Sequence, residues 1–284
     1  MENFDIVLVG AGSAGCIMAN QIINSTNYKV LLIEAGPSDN NLTIQVPLGY
    51  GMTFYHKKMN WNFYSEIQKN LHNREIYYPR GKVLGGSGSI NAMIYARGLR
   101  SDFENWNLSK NWSWENIKTT YDQIEFAVNN KTKRLPSNKI PVNDISKQHH
   151  PILKNFFDAS NDFNFTFNKQ LKSSIENQVG NYNVNIFKGF RTSSSKVFLK
   201  PIKNHPNLTI FTKTEVLKLN YKNKKIISLD IKHKNKIISV KPKIGTILCS
   251  GSIMTPYLLL KSGIGNASDL KELNLPVNLH SSHV

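Results

Sequence analysis

Two cysteines in 284 residues are too few for a disulfide framework. Cys16 and Cys249 read as small buried apolar residues, and a reducing cytoplasm is the expected compartment. Long apolar runs are also lacking. No stretch reaches the roughly 20 residues of a membrane span, so no transmembrane segment is expected. The chain enters a strand by residue 5, which leaves no room for a signal peptide. Acidic residues are scarce, 19 against 36 basic, giving a net charge of +17. Charge alone would allow a nucleic-acid surface. The lysines of 218–243, however, fall among the turns of an expected β-meander without interleaved aromatics. They read as a solvated basic face, and no nucleic-acid partner is expected. Hydrophobic residues make up 40% of the chain, which supports a real core and argues against disorder.

The most informative stretch is Phe4 to Gly36. Asp5-Ile6-Val7-Leu8-Val9 is apolar and β-branched, as in a buried strand. Gly10-Ala11-Gly12-Ser13-Ala14-Gly15 follows, and then a helix in which Ile17, Met18, Gln21 and Ile22 mark helical spacing. A second strand, Lys29 to Ile33, ends on Glu34. Strand, GxGxxG turn, helix, strand and terminal acid form a dinucleotide-binding βαβ unit. Gly10 permits the tight turn, Gly12 lets a pyrophosphate approach the backbone, and Gly15 lets the helix pack on the sheet. The helix N-terminus offers unpaired N–H groups to phosphate. Glu34 can accept from ribose hydroxyls and repels a 2′-phosphate, so NADP is disfavoured. The unit alone leaves FAD and NAD both open.

Residues 37–75 read as a long polar loop that could cover a ligand, with a short strand at Trp61-Asn62-Phe63-Tyr64. Five glycines between 81 and 98 are too many for a helix interior, unless backbone must pass close to something flat or charged. Residues 101–135 have a helical pattern, and 130–180 turn polar with short helices expected. Gly189 to Ser195 is expected to open another helix, its hydroxyls being N-cap candidates. From Asn207 alternation predicts a meander of four strands, 208–212, 215–221, 225–232 and 236–241. A strand at Gly245 to Ser250 then reaches Gly251, and a helix starts at Thr255-Pro256.

Three separated motifs together resemble the glucose–methanol–choline flavoprotein oxidoreductases. They are the nucleotide fingerprint running into Glu34-Ala35-Gly36, the run Gly81-Lys82-Val83-Leu84-Gly85-Gly86-Ser87-Gly88-Ser89-Ile90-Asn91, and Gly251 to Gly265. Tyr95-Ala96-Arg97-Gly98 and Gly189-Phe190-Arg191 look closest to the choline-dehydrogenase-like branch. The resemblance implies an α/β fold: a Rossmann-like FAD-binding domain with a β-meander and an inserted, incomplete substrate-binding lobe. Its parts would be 1–110 and 189–284 for the FAD domain and 111–188 for the lobe.

By the same resemblance the cofactor is FAD. Gly10, Gly12, Ser13, Ala14 and Gly15 would hold the pyrophosphate, and Glu34 with Ala35 the adenosine ribose. Arg80, Gly81, Val83 and Gly85, with Asn91, Ala92, Met93 and Ile94, would line the flavin. Val216 would meet the adenine through its backbone, and Gly251 would lie beside the cofactor. The implied reaction takes a hydride from a small-molecule alcohol such as choline to the flavin while a histidine takes the hydroxyl proton. That histidine is expected beyond residue 284, so no catalytic residue is assigned in this chain. His149-His150 reads as a solvated pair, and His280 and His283 have no visible co-ligands, so no metal site is expected. Two further readings stand beside the enzyme. One is a non-catalytic FAD-binding fragment or split subunit that needs a complementing C-terminal chain. The other is a nicotinamide-binding reductase. A half-length chain is also expected to expose apolar faces and to associate.

Overall fold

The computed structural model describes residues 3–106, 108–171, 174–223 and 225–284. Lys224, in one of the expected meander turns, lies outside them. The chain forms two compact units, one of residues 1–90 and 193–284, the other of residues 91–192.

The first unit is built on four short parallel strands. They are β1 (Ile6–Val9), β2 (Val30–Ile33), β3 (Leu208–Phe211) and, after the meander, a strand at Gly245–Leu248. Their order is β3, β2, β1 and then Gly245–Leu248, with Val7 opposite both Leu31 and Thr246. All four residues of β1 and of β2 are buried, as a strand covered on both faces requires. The meander has three strands, Glu215–Lys222, Lys225–His233 and Lys236–Val240, paired antiparallel. It lies on one face of the parallel sheet. Val7, Val9, Leu31 and Ile33 pack there with Leu219, Leu229, Ile231, Val240 and Leu258. The segment 208–212, expected as the first meander strand, is therefore β3 of the parallel sheet. Its alternation fits either sheet, and only pairing with β2 decides.

Helix α1 (Ser13–Ser25) buries Gly15, Cys16, Ala19, Asn20 and Ile23. The stripe of Ile17, Met18, Gln21 and Ile22 is not the buried one. Small residues face inward instead, which lets the helix axis come close to the sheet. Asn20 is buried among them and its Nδ2 donates to the Phe198 carbonyl at 2.8 Å. Helix α2 (Gly251–Lys261) starts four residues earlier than expected, which places Pro256 inside it. Residues 37–75 contain short helical turns, Leu42–Gln45 and Tyr50–Thr53, and the strand Phe63–Tyr64. The stretch 189–195 opens a helical turn as expected: a short strand, Phe190–Arg191, precedes it, and the turn Ser195–Leu199 has Ser194 at its N-cap position, without a side-chain cap hydrogen bond.

The second unit has more strand than its polar sequence suggests. Ile94–Tyr95, Asn183–Val184 and Ile140–Asp144 pair antiparallel, and Glu125–Ala127 joins Ile140–Asp144 in parallel. Helices cover Arg100–Asn105, Trp114–Ile124 and Leu153–Ser160. The helical pattern of 101–135 thus stops at Ile124, where tertiary strand pairing overrides it. Pairing of Ile94–Tyr95 with Asn183–Val184 ties residues 91–110 to this unit, whereas the sequence reading divides the chain at 110/111 and 188/189.

Candidate functional site: a glycine-lined nucleotide cradle

Three turns far apart in sequence meet above the parallel sheet. The first is Gly10 to Gly15 after β1. Gly10 has φ +98°, and a Cβ there would sit 2.6 Å from the Cys249 carbonyl oxygen, so only glycine fits. The second is Gly85-Gly86. Gly85 N–H donates to the Ala11 carbonyl at 2.8 Å, and a Cβ on Gly86 would lie 2.8 Å from the Gly12 Cα. The third is Cys249-Ser250-Gly251. Cys249 N–H and the Ser250 hydroxyl both donate to the Val9 carbonyl, at 2.7 and 3.0 Å. Backbone touches backbone among the three, as the glycine content of each motif predicts.

Beside these turns lies a cavity of about 470 Å³. Gly12, Ser13 and Ala14 line it, as do Arg80, Gly81, Gly86 and residues 248–255. The N-termini of α1 and α2 both open there. Neither helix has a side-chain cap or an acidic residue in its first turn. Their first N–H groups and the Arg80 guanidinium form a positive pole suited to phosphate. Nothing stands within 4 Å of where a Gly251 Cβ would be. A smaller cavity of about 70 Å³ is lined by Gly10, Ala35, Thr214, Val216 and Tyr257, among others. Trp61, Ser250 and Met254 line both cavities.

Glu34 stands at the end of β2, buried. Its Oε2 accepts from Ala11 N–H and its Oε1 from Gly36 N–H, each at 2.9 Å. Burial pushes its carboxyl above the ordinary carboxylate range, against the pull of those N–H groups and of Lys82. Each carboxylate oxygen keeps lone pairs beyond these bonds, but Glu34 is 6% exposed and is among the lining of neither cavity. Val83, also expected at the flavin, is fully buried with Ile44, Met59 and Ile90, so only its backbone can face a ligand. Gly15 is likewise a packing position, its missing Cβ 1.9 Å from the Gly10 carbonyl oxygen.

Asn91, Ala92, Met93 and Ile94 belong to the second unit. Asn91 Oδ1 accepts from Met93 N–H at 3.0 Å and from the Arg191 guanidinium at 2.8 Å. Met93 is buried at φ +62°. Ile94 is exposed and pairs with Val184. The second unit has a cavity of about 580 Å³ lined by Tyr95, Arg97, Trp114, Glu125, Asn181 and Tyr182, among others. Arg97 reaches Asp122 at 2.7 Å and Glu125 at 2.5 Å there, and Tyr95 donates to Glu125.

The sequence reading missed Trp61, Ser250 and Met254 as lining residues. The polar stretch 37–75 signalled a cover but not which residue faces inward. Among the described residues no histidine lines either cavity of the first unit. His149 and His150 line a separate cavity in the second unit. No group of described residues could hold a metal ion, and no described helix is long and apolar enough to cross a membrane.

A family model described as GMC oxidoreductase matches residues 4–283. The chain is 35% identical over 275 residues to an alcohol dehydrogenase [acceptor] of Pseudomonas putida, covering 95% of this chain and 50% of that protein. It is 30% identical to an oxygen-dependent choline dehydrogenase of Photobacterium profundum, covering 96% and 49%. The crystal structure of pyridoxine 4-oxidase from Mesorbium loti superposes with a TM-score of 0.89 at 26% identity, covering 98% of this chain and 55% of that one. The chain spans about half the length of the curated relatives it matches.

Proposed function

Because the chain belongs to the GMC oxidoreductase family, we propose that it supplies the FAD-holding half of an oxidoreductase acting on the CH–OH group of a small alcohol such as choline. The observation that carries this reading is the convergence of the three glycine turns on one cavity, with two uncapped helix N-termini and Arg80 at its wall.

The residues present fit FAD. The N–H groups at the start of α1 and α2 bind a pyrophosphate, while Glu34 orients the ribose. Ala35 and Val216 border the small cavity, the side this reading gives to the adenine. Arg80 and Gly81 line the larger one. Bound there, FAD would supply the hydride-accepting chemistry that oxidation of an alcohol carbon needs. The chain's own contribution is to fix position and to set the charge around the ligand. In the family resemblance proton removal from the alcohol falls to a histidine, and among the described residues none lines either cavity of the first unit.

That last point favours a second reading for the 284-residue chain by itself: it holds FAD but turns over alcohol only with a complementing polypeptide that brings the base. Purification followed by a visible absorbance scan and a dye-reduction assay with choline and simple alcohols separates the two. Yellow protein without dye reduction supports the second reading. Turnover by the purified chain supports the first. Colourless protein that binds NADH would contradict both.

A further inference from the structure

Trp61 has no role in the reading above, yet it stands where the two cavities of the first unit adjoin. Its backbone is held firmly. Trp61 N–H donates to the Arg80 carbonyl at 2.9 Å, and Lys82 N–H to the Met59 carbonyl at 2.8 Å. Asn60, buried, ties the same two segments together: its Oδ1 accepts from Arg80 N–H and from Asn62 N–H, each at 3.0 Å. The indole is held as well. Lys82 Nζ lies 4.2 Å from the ring centroid, and the Phe63 ring is nearly parallel to it at 5.8 Å. Lys82 is also the cation whose field reaches Glu34. The result is a flat aromatic surface fixed on the walls of two adjoining cavities, held by the lysine whose charge acts on the carboxylate expected to meet the ribose.

We propose that Trp61, fixed by Lys82, clamps the dinucleotide where its adenosine part passes into the pyrophosphate. The inference rests on the FAD reading and adds a binding residue to it. The chemistry suits the place. A phosphate gains nothing from an indole face, but a ribose C–H edge or a base does, and a ring already immobilised loses little freedom on binding.

The test uses the 284-residue chain and its W61F and W61A variants, titrated with FAD and with ADP by calorimetry and tryptophan emission. Trp61 is the one tryptophan of the first unit, since Trp106, Trp112 and Trp114 lie within residues 91–192. ADP does not absorb where tryptophan emits, so its effect on emission reports contact. The expected result is a Kd for FAD weakened about tenfold in W61A and within about threefold of wild type in W61F. ADP should change the emission of wild type and leave that of W61F unaltered. Should W61A fail to fold, the W61F emission experiment decides: a change on ADP binding that persists in W61F overturns the clamp. Equal FAD affinity in wild type and folded W61A overturns it as well. A wild-type chain that folds but takes up no FAD overturns the FAD reading itself, which is a different failure.

Discussion

Arg191 and Asn91, 100 residues apart, are joined twice: Nη1 donates to Asn91 Oδ1 at 2.8 Å and Nη2 to the Asn91 carbonyl at 2.7 Å. Arg191 is 2% exposed, and burial draws its guanidinium down to about 10. The same Asn91 Oδ1 accepts from Met93 N–H, so the pair also fixes the turn that holds Met93 at φ +62°. Two sequence motifs, the one ending at Asn91 and Gly189-Phe190-Arg191, are thus the two halves of one clasp. Arg191→Lys keeps the charge but cannot span both acceptors. It is expected to lower stability by about 1.5–3 kcal/mol in urea unfolding. A variant as stable as wild type would show that the clasp contributes little.

Gly10 and Gly12 should respond differently to substitution. Gly10→Ala meets the Cys249 carbonyl and a left-handed φ, and about 2–4 kcal/mol of stability should be lost. A Cβ on Gly12 meets nothing closer than 4.0 Å, and Gly12 lines the larger cavity. Gly12→Val should therefore melt within a few degrees of wild type while its FAD affinity collapses. Circular dichroism melts and FAD titrations on the two variants check the contrast.

The buried Glu34 makes stability depend on pH with a definite sign. Its folded carboxyl titrates above the ordinary value of 4.5. The neutral form is therefore favoured by folding, and that contribution is full below pH 4.5 and lost as pH rises through the raised value. Relative to Glu34→Gln, the wild type should be most stable at low pH and fall behind as pH increases toward neutrality. The check is the difference in thermal midpoint between the two proteins across that range. A difference that stays flat, or grows in the wild type's favour, would contradict the account.

The two thiols should differ in reactivity. Cys16 is fully buried, donates to the Ala11 carbonyl at 3.3 Å, and is pushed up to about 12 by burial. Cys249 is half-buried and lines the larger cavity, with a smaller upward push from burial. Iodoacetamide at neutral pH should label Cys249 slowly and Cys16 only after denaturation. Added FAD should protect Cys249. Mass spectrometry of the labelled peptides reads both outcomes, and early labelling of Cys16 would be the wrong order.

The cradle was the most legible part of this molecule from sequence, because its features are local. A strand, a glycine turn and a helix lie within some thirty residues, and Gly10 and Gly15 mark close approaches that a Cβ forbids. What stayed hidden was set by contacts distant in sequence. The alternation of 208–211 fits a meander or a covered parallel strand equally well, and only β2 selects. The polar stretch 91–192 hides its strands because two-residue pairings such as Ile94–Tyr95 with Asn183–Val184 leave no periodic signal. Trp61 sits in a run without period, so its position on two cavity walls could not be read from its neighbours. The start of α2 at Gly251 was masked by Pro256, which read as a first-turn proline and lies inside the helix.

The central claim is that three glycine turns converge to hold one dinucleotide. It is tested most directly by equilibrating the purified 284-residue chain with FAD, removing free cofactor and measuring bound flavin per chain, alongside Gly12→Val. The account predicts close to one flavin per wild-type chain and almost none in the variant, with the same far-ultraviolet dichroism in both. A folded wild-type chain that stays colourless, or a variant that takes up as much flavin as wild type, would contradict it.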